Sequence, residues 1–404
     1  MPRMVILGAG ASQACPNNDP NLPMPLLRDL PAVVSHAEPE SDWHHFGKTL
    51  NGLLQATDGD IEVLLTILYR FNEAFFVPRK QYTLDPGFID QILASSALPG
   101  FFPVPDEANQ ATSVLRRLRG SIAAWPAAAS SFSPQNFFTM FQGILRQYFQ
   151  ASFRRYPCPY HLRLFEQLRR FDTVVSFNYD LIADYTLFSA GKLASFSFEG
   201  LGFTEIALPE RPIPQSTNTW DEALSQVDRD RFNCVTFLKV HGSFSWFTRR
   251  ETVNVSEDHW VYPVGPPPPL RQSSVGGPEV LYCLGNPTER SSWRNWTMAP
   301  VIFPFLTKDY IYRSNAMFAR HIIALQYELG LADEIYLVGK NFQNADREMN
   351  GIIRYATFNN RRRTIHIINR NPSADFDTFH CALFNAELGQ RYGSFEQYWS
   401  SHGR

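Results

Sequence analysis

Three short segments carry side chains whose types suit chemistry on a phosphorylated ligand. Gly8-Ala9-Gly10-Ala11-Ser12 is a run of small residues directly after the apolar stretch Met4–Leu7. Small residues at a strand-to-helix turn let backbone N–H groups approach an anion such as a pyrophosphate, and a helix start favours negative charge. The turn lacks the third glycine of a dinucleotide fingerprint, so by itself it suits a tight turn without ligand equally well. Asn178-Tyr179-Asp180 follows the apolar segment 173–177, and His241-Gly242-Ser243 follows 235–240. If those segments are neighbouring parallel strands, a carboxamide, a carboxylate and an imidazole converge at their carboxyl ends beside the glycine turn. His241 is suited to accept a proton near neutral pH, and Asn178 to orient a water or a ribose hydroxyl. Taken singly, each is explained as a turn former or helix cap. The case rests on all of them meeting.

The elements that must position these groups are legible as short apolar runs. Residues 4–7, 173–177, 235–240, 334–338 and 364–368 are rich in β-branched or aromatic residues and bounded by Gly, Asn or Arg, the pattern of buried parallel strands. Helical spacing precedes or links several of them: Leu164, Phe165 and Leu168 before the second, Phe318, Ile322, Leu325 and Leu329 before the fourth, and Met349, Ile352, Ile353 and Ala356 after it. The fold class expected is α/β, a Rossmann-like doubly wound parallel sheet with a mostly helical insertion or cap. Its central strands should end at Leu7, Phe177, Val240 and Val338.

The core is expected to comprise residues 1–15, 150–250 and 295–375 of a domain spanning 1–375, with the helical insertion at about 16–150. In the insertion, Asp60 is placed to cap a helix with Ile61, Leu64, Leu65, Leu68 and Phe71 on one face, and 137–149 form another. Residues 201–232 and 247–298 read as irregular, with Pro266-Pro267-Pro268-Pro269 an exposed loop, and 376–404 as a C-terminal helical tail.

Composition sets outer limits. Hydrophobic residues are 44% and charged residues 19%, a globular balance. The net charge of −2 gives no general argument for nucleic acid or an anionic membrane, and Arg361-Arg362-Arg363 reads best as a solvated loop. No apolar run approaches the ~20 residues of a spanning helix, and Met4–Leu7 is too short for a signal peptide. The five cysteines are scattered without a paired spacing, which argues against a disulfide framework and a four-cysteine zinc site. A cytoplasmic address and no metal are the expectations.

Taken in order, the segments Gly8–Ser12, Ser176–Asp180, Lys239–Trp246, Val338–Asp346 and Ile368–Pro372 resemble the sirtuin superfamily, and more closely its bacterial sirtuin-like branch in antiphage defence. Asp60-Ile61-Glu62 and Pro300-Val301-Ile302 are also similar to stretches of that branch. The resemblance spans nearly the whole chain. It implies a crevice for NAD+, with Gly8, Ala9, Gly10, Ala11 and Ser12 at its phosphates and ribose. It further implies Asn178 and His241 as catalytic residues, with Asp180 at the nicotinamide carboxamide. Gly242 joins the binding residues, Gly339 and Asn369 lie on the adenosine side, and Asp346 caps a helix. Asn178 and His241 are expected at the crevice rim, carrying little core packing.

The departures narrow the chemistry. Deacetylating sirtuins carry two zinc-binding cysteine pairs, a glutamine where Phe177 stands, and a flexible-loop motif that 16–25 lacks. The activity implied is therefore hydrolysis of NAD+ to nicotinamide and ADP-ribose, as a defence effector that depletes the cellular pool. The alternatives are a non-catalytic module sensing NAD or ADP-ribose for a partner ATPase or nuclease, or a zinc-free deacylase or ADP-ribosyltransferase. Assembly into a homo-oligomer, or with a HerA-type ATPase, is the restraint implied by analogy.

Overall fold

Met4, Val5, Ile6 and Leu7 are each no more than 1% exposed, so the strand they form must be covered on both faces and flanked on both edges. The computed structural model describes residues 2–18, 157–198, 200–203, 205–208, 233–249, 280–284, 296–298, 316–342, 347–359, 361–370 and 373–402. It also describes 54, 57, 61–66, 86–94, 109, 112–117, 119–120, 141, 145, 148, 149 and 152. Asp60, Leu68, Phe71, Pro266–Pro269, Pro300–Ile302 and Asp346 lie outside these residues.

The chain opens with β1 (Arg3–Leu7) and the short helix α1 (Ala9–Gln13). Among the described residues of the following segment, 61–66, α2 (Pro86–Ala94) and 112–117 are helical, and Leu64, Leu65, Ile89, Leu115 and Phe141 join the buried cluster that holds β1. Then come α3 (Pro159–Glu166), β2 (Thr173–Ser176), α4 (Ile182–Ser189), β3 (Glu205–Ala207) and β4 (Thr236–Lys239). Three short strands follow, β5 (Trp246–Arg249), β6 (Val280–Cys283) and β7 (Trp296–Met298). The last part alternates: α5 (Ala316–Leu331), β8 (Glu334–Val338), α6 (Arg347–Thr357), β9 (Thr364–Ile368), α7 (Ala374–Phe384), β10 (Glu387–Tyr392) and α8 (Phe395–His402).

Six of the strands form an all-parallel sheet in the order β10-β9-β8-β1-β2-β4, an α/β Rossmann-like arrangement. The chain builds from β1 outward to β2 and β4, then returns to the other side of β1 with β8. The reversal of strand order therefore lies between β1 and β8, the place where open α/β sheets bind ligands. The ladders end flush: Leu7 pairs with Ser176 and with Val338, Ser176 with Lys239, and Val338 with Ile368. The residues that follow each strand thus share one rim. β2 and β4 stop one residue short of the expected Phe177 and Val240.

Two regions differ from the sequence reading. A second sheet, β3-β6-β5-β7, forms where irregular chain was expected. Its strands have three or four residues, too short for a period to stand out, and Trp246 and Tyr282 drive them into the main core. The C-terminal tail holds a strand as well as helices. β10 is exposed at every position except Tyr392, because it is an edge strand and only one side of it meets the protein. It therefore carries no apolar run to read. α7 before it is conventional: Ser373 Oγ accepts the Phe376 N–H at 3.1 Å, and Asn385 closes the helix at φ 47°.

The cysteine expectation is corrected too. Cys15 and Cys158, 143 residues apart, form a disulfide with Cα atoms 5.9 Å apart. It joins the end of α1 to the start of α3, against Ile182, across the base of the inserted segment. Spacing along the chain gave no sign of it because the fold, not the local sequence, brings the two together. A crosslink over so long a loop acts mainly by restricting the unfolded chain. It also removes the cysteine-based argument for a cytoplasmic address.

His161 and His321 are buried among aromatic rings, and neither ring nitrogen of either has a hydrogen-bond partner. Burial lowers their pKa values from 6.5 to about 4 and about 3. The folded protein therefore keeps both neutral while the unfolded chain protonates them near pH 6.5. Their contribution to stability is complete above that pH and is lost as pH falls from 6.5 toward 4, at up to about 1.4 kcal/mol per pH unit for each. Urea midpoints measured between pH 7 and pH 5 should fall steeply for the native chain and less steeply for His161→Phe/His321→Phe. Equal slopes for the two proteins would refute this.

Candidate functional site

The turn after β1 and the turn after β8 are pressed together. Gly8 N–H donates to Val338 O at 2.9 Å, Gly10 N–H to Gly339 O at 3.1 Å, and Gly339 N–H to Ile368 O at 2.9 Å. A Cβ on Gly8 would lie 2.5 Å from Gly339 O, and one on Gly10 would lie 3.0 Å from Gly339 Cα. Gly339 has φ 60° and would collide with Gly10 and Ala11 if it carried a side chain. These glycines are thus required by backbone-to-backbone packing at the reversal point. Three of the N–H groups expected to meet phosphate, those of Gly8, Gly10 and Ala11, are spent inside the protein. Ala11 is a core residue at 1% exposure, with its N–H on Gly8 O, and Ala9 is half-buried at the start of α1.

Asn178, Ser12 and Asp180 meet directly. Asn178 Nδ2 donates to Gly8 O at 2.9 Å and to Ser12 Oγ at 2.8 Å. Ser12 Oγ in turn donates to Asp180 Oδ2 at 2.8 Å, while Asp180 Oδ1 takes the Ile182 N–H at 3.0 Å. Burial raises the Asp180 pKa, opposed by the Lys239 charge, the Ile182 N–H and the Ser12 hydroxyl. The result is a polar cluster linking the carboxyl ends of β1 and β2.

His241 stands at the end of β4, next to β2. Its ring meets Phe177 edge-on at 5.1 Å and lies 6.3 Å from Tyr179, the two residues flanking Asn178. Gly242 turns the chain at φ 84°, and Phe244 N–H bonds Tyr179 O at 3.2 Å, tying the two loops. Asn178 and His241 are 8% and 6% exposed, so at this rim they are packed groups and not, as expected, residues that carry little core packing. Gly339 reaches the cluster through its turn. Asn369 follows β9, two strands from β1, and its N–H bonds Tyr392 O at 3.0 Å.

The sequence reading passed over a charged network beneath this floor. Lys239 Nζ donates to Asp180 O at 2.5 Å and to Asp184 Oδ2 at 2.7 Å, with both side chains at most 1% exposed. Asp184 Oδ1 accepts from Tyr282 Oη at 2.8 Å and Ser245 Oγ at 3.2 Å. Burial, then the Asp184 charge, keep the Tyr282 pKa far above its usual value, so it remains a donor. The available signal was a lysine at the end of an otherwise apolar strand.

Among the described residues no group of three or more His, Cys, Asp or Glu is placed to hold a metal, and no helix is long and apolar enough to cross a membrane. No protein-family model matches the sequence, and no curated protein matches it.

Proposed function

We propose that the chain hydrolyses NAD+ at the nicotinamide–ribose bond. The observation that carries this reading is the meeting of Ser12, Asn178 and Asp180 beside the β1–β8 reversal point, with His241 on the adjoining strand end. In the reaction the bond between the pyridinium nitrogen and ribose C1′ breaks, and its electrons leave with neutral nicotinamide. The oxocarbenium-like ribose takes the oxygen of a water, whose proton passes to His241. Asn178 orients that water or the ribose hydroxyls. Asp180, expected at the nicotinamide carboxamide, instead has Oδ2 on the Ser12 hydroxyl and Oδ1 on the Ile182 N–H, so its role is to hold Ser12 in place. Depletion of NAD+ in antiphage defence, restrained by self-assembly or a partner ATPase, is the role the resemblance implies.

A second reading, a nucleotide-sensing module without turnover, is favoured by one observation. Asn178 Nδ2 already serves Gly8 O and Ser12 Oγ, which suits a structural role. Incubating the purified chain with NAD+ separates the two. Nicotinamide and free ADP-ribose in equal amounts are the expected products. NAD+ bound but intact would favour the sensor, and ribose linked to protein or acyl group would favour a transferase.

A further inference from the structure

Phe342, on the chain leaving β8 just past Gly339, is fully buried without belonging to a helix or strand. Its backbone groups therefore need partners outside any ladder. Two side chains supply them. His380 Nε2, from α7, accepts the Phe342 N–H at 3.2 Å, and Asn350 Nδ2, from α6, donates to Phe342 O at 2.9 Å. His380 is itself fully buried, with its other ring nitrogen, Nδ1, 2.7 Å from Phe376 O. A carbonyl only accepts, so the proton sits on Nδ1 and Nε2 keeps the lone pair that Phe342 uses. Burial lowers the His380 pKa, opposed by the Phe376 carbonyl and the Asp377 charge, which favours the neutral ring this arrangement requires.

The residue held in this way begins a row of rings that ends at the proposed base. The Phe342 ring stands edge-on to Phe177 at 5.3 Å, and Phe177 stands edge-on to His241 at 5.1 Å. Phe342 is backed by Phe384 at 5.7 Å, and His380 by Phe376 at 4.0 Å. In a close-packed core a shift of one ring is passed to the next, because few voids absorb it. We propose that His380 is a positioning residue for His241: it holds Phe342, which holds Phe177 against the imidazole. The inference rests on the reading of His241 as the base. An apolar side chain would fill the same space in α7, but only an acceptor satisfies the Phe342 N–H. That need is the physical reason for a histidine at a fully buried position.

The test uses the full chain, with every rate expressed per folded molecule. His380→Leu should lower kcat for NAD+ cleavage by about 10- to 100-fold, the scale for a reacting group displaced by up to about 1 Å. ADP-ribose binding should stay close to native, since the base and not the ligand is displaced. His380→Gln, whose Oε1 can accept the Phe342 N–H, should retain most of the rate. In a His241→Ala background His380→Leu should have little further effect, because its loss is exerted through the ring already removed. In histidine-labelled protein the His241 Cε1–H resonance, identified by its disappearance in His241→Ala, should move in His380→Leu and lie near its native position in His380→Gln. If His380→Leu does not fold, Phe342→Leu interrupts the row at the next ring and carries the same expectations. Native kcat in the leucine variant, losses that add in full in the double variant, or an unmoved His241 resonance would overturn the proposal. A native chain that leaves NAD+ intact would instead overturn the hydrolase reading, and the resonance would then decide whether His380 sets the His241 ring.

Discussion

His241→Ala is expected to lower NAD+ turnover by about 10²–10⁴-fold, the usual cost of removing a general base. ADP-ribose binding should remain close to native, because the imidazole acts on the water and not on the diphosphate. The ring is only 6% exposed and packs on Phe177, so truncation opens a void and costs some stability as well. Turnover must therefore be expressed per folded molecule, from melting curves on the same preparation. Added imidazole, which fits the void, should restore part of the rate. Undiminished turnover in the folded variant would remove His241 from the reaction. Asn178→Ala should show a comparable loss with a larger stability penalty. It removes two buried hydrogen bonds, each worth about 0.5–1.5 kcal/mol, leaving Gly8 O with the Ala11 N–H and Ser12 Oγ with its bond to Asp180.

Lys239→Met should lower the unfolding free energy by about 3–5 kcal/mol, the range for breaking a buried ion pair from one side. The variant leaves the Asp184 carboxylate fully buried, with Tyr282 and Ser245 as its remaining donors, and removes the donor to Asp180 O. The double variant Lys239→Met/Asp184→Leu should recover most of the loss, since no charge is then stranded. Urea unfolding of the four proteins in the cycle measures both quantities. A single-variant loss below about 1 kcal/mol, or a double variant no better than the single, would show that the pair does not brace the site. Because Lys239 supports the Asp180 backbone, ADP-ribose binding should weaken in the single variant beyond what its folded fraction explains.

The parallel sheet was legible because its inner strands are covered on both faces. Met4–Leu7 and Val174-Val175 must then be apolar without interruption, and such runs announce themselves. Glu387–Tyr392 joins the same sheet at its edge, where solvent takes most side chains, so its composition carries no comparable mark. The three- and four-residue strands of the second sheet are similarly silent. The convergence of Ser12, Asn178 and Asp180 could be anticipated because polar residues placed just after parallel strands share a rim wherever the ladders end flush, as these do. Other features depend on residues far apart in the chain. Cys15 finds Cys158, Lys239 finds Asp184 and Tyr282, and Lys340 reaches Phe177 only once the strands are ordered. The sequence by itself determined the inner strands of the parallel sheet and which polar groups follow them, since burial and period act locally. Tertiary structure alone decided which of those groups touch, which are buried, and which charges face one another, since these are set by the order and register of strands that no local pattern encodes.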